Sequence, residues 1–463
     1  MVLFVNSFKR LESDETDENK DSLKTNKTKR RNNIKLLMIH ALTFGMFDSI
    51  CREGGILDNF IFILSGRSNK DVGEAETICG MSEMFAAVVA GLLADYYHNN
   101  RSFLLVRYGY LGMILSLLFT LTLYFETLLG IKLCLAIYGS WIAFKDCTSY
   151  AVFADSVSLT DRGFTMTRAE GVAQAAAAIG PIVSIIVLIA WSHEDDWTIS
   201  ALKPVLIFGS LGLLIPASTL MFWSDVPHRA QTVGELKDVK ENIHVHVPGK
   251  RLVPALLCFT DIVSQLGMGM TVKFIPLFFK EEFGLHPINI ELIYLLHAVA
   301  FVVGTIFARS LSAKYGRVKT SIIYTLGGAI SLYLFAYAQS LPAVIALFVI
   351  GGALCNAVVP LDRSLVLDSV AAEERGRWAA AEALGSASWS GSAFFGGLLV
   401  DGNKGSYRFT FEMTALIYSI ALLFRIPLLC LVQEFDIDHI KRDSNPGIEL
   451  VEEGNWQKLS RQE

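Results

Sequence analysis

Seven ionisable side chains interrupt otherwise apolar stretches of this 463-residue chain: Asp48, Arg52, Glu83, Lys145, Asp146, Asp261 and His297. Inside a bilayer each would cost roughly 2.5–3.5 kcal/mol, so each needs a partner or a task. Asp48 and Arg52 are four residues apart and can pair on one helix face, which His40 and Phe44 extend. Lys145 is the sharpest case, a lysine among large apolar neighbours with Trp141 one turn before it. Glu83, Asp48 or the adjacent Asp146 could neutralise it. Asp261 shares a face with Gln265, and His297 shares one with Tyr294 and Phe301. The seven could line one central cavity that binds a charged solute or passes a proton. Blander readings stand beside this one: Asp48 with Arg52 as a self-neutralised pair near an interface, and His297 as a hydrogen-bonded packing residue.

Other chemistry is poorly represented. His244-x-His246 has no third ligand in view, so no metal is expected, and His193-Glu194-Asp195-Asp196 reads as a solvated turn. No Walker sequence, nucleophile elbow or zinc-protease pattern occurs, which disfavours ATP-driven pumping and catalysis. No cofactor is implied. A net charge of −5 gives no footprint for nucleic acid. The seven cysteines form no C-x-x-C pair and mostly lie in apolar runs, so they read as buried thiols.

The elements that must hold the ionisable residues follow from the charge distribution. The chain is 52% hydrophobic and 18% charged, with a mean hydropathy of +0.44. About 35 of its 85 charged residues fall in 1–33, 224–251 and 433–463. The remainder is too poor in charge for soluble domains, which average about 25%. Apolar runs occur near 34–52, 75–96, 102–124, 128–150, 169–191, 200–223, 252–279, 287–309, 319–339, 342–362, 383–400 and 408–432. Each is near the length a bilayer demands, whereas Ile56–Leu64 is too short to span and either prolongs the first helix or lies at the interface. The expected fold is an all-α membrane protein of twelve transmembrane helices. It divides into a disordered tail (1–33), a six-helix bundle (34–223), a linker (224–251), a second bundle (252–432) and a second tail (433–463). Tails and loops on one side hold about 27 of the 40 Lys and Arg residues, which places both termini in the cytoplasm.

An internal repeat supports two bundles. Asp155-Ser156-Val157 followed by Arg162-Gly163 recurs as Asp368-Ser369-Val370 followed by Arg375-Gly376, each after the fourth run of its half. The loop between runs 2 and 3 reads Gly91-Leu-Leu-Ala-Asp95-Tyr-Tyr-His98-Asn99-Asn100-Arg101. Its counterpart in the second half ends Lys314-Tyr315-Gly316-Arg317. With twelve spans and the repeat, these loops resemble the major facilitator superfamily from about residue 34 to 432. Gly91 and Asp95 match the family's signature in the first loop, and Lys314, Gly316 and Arg317 match it in the second. The resemblance implies two bundles related by pseudo-twofold symmetry and a cytoplasmic latch at Asp95 with Arg101 beside it. Asp155 with Arg162 and Asp368 with Arg375 are the matching charge pairs at helix ends. Run 5 is rich in small residues from Gly171 to Gly180-Pro181, as is run 11 from Ser386 to Gly397, and small residues let helices slide.

The expected function is a secondary transporter that moves a small solute by alternating access, with a carboxylate near Lys145 available to couple protons. A monomer in the lipid bilayer is expected. The competing reading is a transporter-like sensor or scaffold that binds a ligand without moving it.

Overall fold

The computed structural model describes residues 2–53, 55–157, 159–192, 196–226, 252–369 and 375–432. Among them, eleven helices are long and apolar enough to cross a membrane. The first ten are α1 (Lys24–Leu64), α2 (Asn69–Tyr96), α3 (Arg101–Tyr124), α4 (Leu128–Ser156), α5 (Gly171–Trp191), α6 (Ile199–Phe222), α7 (Leu252–Phe283), α8 (Pro287–Tyr315), α9 (Arg317–Tyr337) and α10 (Leu341–Arg363). Next comes α11 (Arg375–Gly402), which has spanning length at 28 residues but is rich in Gly, Ala and Ser. The last is α12 (Tyr407–Leu431). The helices outrun their apolar stretches because polar residues cap them. The hydroxyl of Ser68 accepts the Asp71 amide at 3.2 Å, and that of Thr198 accepts the Ala201 amide at 3.2 Å.

One element differs from the sequence expectation and another follows one of its two alternatives. The polar segment 1–33, expected to be disordered, is helical from Val2 into α1. It contains no glycine or proline to stop a helix that the apolar run has already nucleated. The short run Ile56–Leu64 continues α1 after a π-helical turn at Ser49–Glu53 and the left-handed Gly55 (φ 76°). Most of the linker, the tail beyond 432 and the side chains of Arg162, Asp368 and Arg375 lie outside the described residues.

Helices α1–α6 form one bundle and α7–α12 the other. Successive helices reverse direction, so the termini and the central linker share one end, called here the tail end; the opposite one is the far end. On the outside of α3, Tyr110, Ile114, Leu117 and Leu121 are exposed at helical spacing. Water would not tolerate that row, and lipid would. Inside the first bundle, Trp141 Nε1 donates to the Tyr108 carbonyl at 2.8 Å. Inside the second, Arg425 of α12 bridges Asp362 of α10 at 2.7 Å and donates to Ser321 of α9 at 2.6 Å. These buried contacts fix the helices within each bundle.

Candidate functional site

The ionisable residues of the first bundle lie along one face that runs from the far end inward. Arg52 pairs with Asp48 (Nε–Oδ1 3.3 Å), and Tyr138 of α4 donates to the same carboxylate oxygen at 2.5 Å. Glu76 of α2 is 3.9 Å from Arg52. Beyond it, Glu83 is two turns along the same helix face, within electrostatic reach of Glu76, Arg52, Lys145 and Asp146. Lys145 is buried and pairs with Asp146 at 2.7 Å, while its ammonium lies 3.9 Å from the Phe44 ring centre and 5.5 Å from that of Trp141. The aromatic faces take up part of the charge that the lipid-like interior would otherwise refuse. His40 stacks on Phe44 and bonds to Thr219 of α6 at 2.9 Å. Asp146 is about a third exposed (32%), so it is the member of the pair that faces open space.

Five of the seven sequence candidates therefore share one connected face: Asp48, Arg52, Glu83, Lys145 and Asp146. The other two sit in the second bundle. His297 of α8 stacks on Phe348 (4.8 Å between ring centres, 19° between planes) and rests against Gly352 of α10. Asp261 of α7 lies against Gly385 of α11, where an added Cβ would sit 2.8 Å from its carboxylate.

Sequence reasoning passed over three charged residues that join the bundles. Lys273 of α7 reaches across to Glu76 (3.3 Å) and Asp58 (3.8 Å) and donates to the Arg52 carbonyl at 3.1 Å. All three side chains are under 10% exposed. Asp58 lies in the run judged too short to span, and Glu76 at the very start of run 2, so both read as ends of apolar stretches. The heptad spacing of Glu76 and Glu83 was the available signal.

Further contacts surround this cluster. Ser390 of α11 donates to Glu76 at 3.4 Å, and Asp401 accepts from the Asn69 side chain at 2.9 Å and the Lys70 amide at 2.9 Å. Trp197 donates to the Leu285 carbonyl at 2.6 Å. Helices α2 and α11 touch through glycines: a Cβ on Gly73 would run into the backbone of Ala393, one on Gly80 into Ser390, and one on Gly397 into the Asn69 backbone. The far end is closed. At the tail end, a Cβ added to Gly91 or Gly171 would meet no atom within 4 Å.

The sequence model described as Major Facilitator Superfamily matches residues 257–461. The D-xylose–proton symporter aligns over 87% of this chain and 97% of its own, at TM-score 0.65 and 16% identity. The second half of the chain thus matches the Major Facilitator Superfamily model in sequence, and the whole chain shares the fold of these transporters. A bacterial homologue of the human lysosomal transporter Spinster, inward-facing and unoccupied, aligns over 87% of this chain and 98% of its own at TM-score 0.67 and 13% identity. The nucleoside transporter NupG aligns over 87% and 99% at TM-score 0.58 and 11% identity. No curated protein matches in sequence.

The loops expected to form a latch lie at the tail end. Asp95 is exposed, and Arg101 donates to the Ala94 carbonyl at 3.0 Å and pairs with Asp155 at 2.5 Å, within its own bundle. The Asp155–Arg162 and Asp368–Arg375 pairings lie outside the described side chains. Gly316 turns the chain between α8 and α9 with φ 90°, Lys314 lies 5.2 Å from the Tyr315 ring centre, and Arg317 begins α9.

One substitution isolates the Lys145 pairing. Lys145→Met should lower the thermal unfolding midpoint by leaving Asp146 without its counter-charge, and Lys145→Met with Asp146→Asn should recover most of the loss. Equal midpoints for the single and double variants in a detergent melt would show that the pair is inert.

Proposed function

We propose that the chain is a secondary transporter that carries a small solute by alternating access, held in this structure with its far end closed and its tail end open. The observation that carries this reading is the far-end seam between the bundles, where Gly73, Gly80 and Gly397 are buried against residues of the opposite half. Two bundles joined at such a seam can rock about it to expose a midplane site to either side in turn. With the basic tails in the cytoplasm, this is the inward-open state.

Solute carriage, rather than catalysis, suits a face built of paired charges and aromatic rings. Asp146 and Glu83 face the cavity and Lys145 holds Asp146 in place; Asp48 and Arg52 close its far end. Asp95, Lys314, Gly316 and Arg317, with Asp155 and Arg162, Asp368 and Arg375, belong to the latch that shuts the tail end when the bundles rock the other way. Asp261 and His297 serve the second bundle. The 34–223 and 252–432 bundles move as units, and a monomer suffices for the cycle.

Uptake by the protein in liposomes is the direct test. Xylose and nucleosides, the cargoes named for structural neighbours, are the first labelled solutes to try, with and without an inward proton gradient. Accumulation driven by the gradient is expected, falling about tenfold or more in Asp146→Asn and Glu83→Gln. Uptake indifferent to the gradient and to both substitutions would remove proton coupling at these residues. Binding of a solute with no flux would favour the sensor reading.

A further inference from the structure

Lys273 belongs to the second bundle, yet its charge sits among the carboxylates of the first. Its ammonium lies between Glu76 and Asp58, and its third contact is the Arg52 carbonyl. All of these groups are shielded from water by the seam of α1, α2, α7 and α11. Alternating access, on which this inference rests, requires α7 to move away from α1 and α2 when the far end opens. Lys273 then leaves with its own bundle. The first bundle keeps Asp48, Asp58 and Glu76 with Arg52 as their cation, having lost one positive charge at a buried place. Restoring the balance takes one positive charge, and far-side water can supply it as a proton.

We propose that Lys273 is a tethered cation that competes with a proton for the Asp58–Glu76 pair, so that each closure of the far end expels one proton toward the tail end. Far-side water protonates a carboxylate oxygen of Asp58 or Glu76 when Lys273 is withdrawn. On closure the ammonium, which keeps its own protons, returns between the two carboxylates, and the bound proton departs. Glu83 lies within electrostatic reach of both Glu76 and Asp146, and offers the next acceptor on the way to the open end. The other charged or titratable groups around the pair are few. They are Asp48 and Arg52 on α1, Cys79 on α2, Tyr138 on α4, and Tyr294 and Glu291 on α8, with the hydroxyl of Ser390 on α11. None of them is a second mobile cation.

The sign follows from counting protons. The far-closed state holds one fewer proton than the far-open state, so lowering the pH favours opening of the far end. One linked proton changes the open-to-closed ratio about tenfold per pH unit. The test uses the full-length protein in lipid nanodiscs, with spin labels on introduced cysteines at Ser65 and Asn403 for the far end and at Asn99 and Ser312 for the tail end. Interspin distances are read from pH 5 to 9. Wild type should show the far-end distance lengthening in acid with that slope. Lys273→Met should flatten the slope to near zero, and Glu76→Lys with Lys273→Glu should return far-end closure. A wild-type slope retained in Lys273→Met, or a flat wild-type response with the two ends still interchanging, would overturn the tethered-cation role alone. Ends that never interchange at any pH would overturn alternating access itself.

Discussion

Gly73→Val is expected to abolish closure of the far end and, with it, transport. The α-hydrogen of Gly73 faces the Ala393 backbone of α11, and a Cβ there would overlap its carbonyl. Carbonyl oxygens fixed in a helix cannot swing aside as a flexible side chain can. Overpacking of this kind costs ~1–3 kcal/mol even where neighbours yield. At 1.4 kcal/mol per tenfold, that shifts the balance between far-closed and far-open states by roughly five- to more than a hundredfold. The same far-end distance measurement should show the bundles held apart, with solute uptake lost and the protein still folded. Gly91→Val offers the opposite case. Open space surrounds Gly91 in this state, so the inward-open form should be untouched while closure of the tail end is obstructed. Two valines with the same effect on both ends would show that neither glycine marks a moving contact.

The second large effect concerns stability rather than transport. Arg425→Met is expected to destabilise the second bundle by about 3–5 kcal/mol, because it removes one partner of a buried pair and strands the other. Arg425 is buried, Asp362 lies 2.7 Å away and is largely enclosed, and Ser321 links α9 to both. The compensating variant, Arg425→Met with Asp362→Leu, removes both charges and should recover most of the loss. Urea or thermal unfolding in detergent reads the difference. If Arg425→Met melts with wild type, the pair is not a structural tie.

How far the sequence discloses this molecule depends on what kind of contact is asked for. The spans are legible because a bilayer imposes length and hydropathy on each helix separately, with no reference to its neighbours. The pairing of Asp48 with Arg52 is equally local, since residues four apart on a helix must meet. Lys145 could be singled out because no apolar environment tolerates a lone ammonium, yet its counter-ion could not be chosen among three carboxylates until the helices were placed. The Lys273 junction was hidden. Its members come from α1, α2 and α7, separated by more than 180 residues, and each stands near the end of an apolar run where a charge looks unremarkable. Likewise the glycines of α2 gave no hint that they face α11 and not lipid. Small residues announce close approach without naming the partner.

The π-helical turn at Ser49–Glu53 gives the first helix a second meaning. Widening a helix by one residue releases a carbonyl from its regular ladder, and the Arg52 carbonyl is met by Lys273 from the opposite bundle. The backbone of α1 thus takes a donor from α7. If the proposed rocking parts the bundles at that end, the turn loses a hydrogen bond supplied from another helix, and the change falls on the segment that holds Asp48 and Arg52. Local helix order and global posture are in this way a single variable, written into the peptide backbone as well as into the charges.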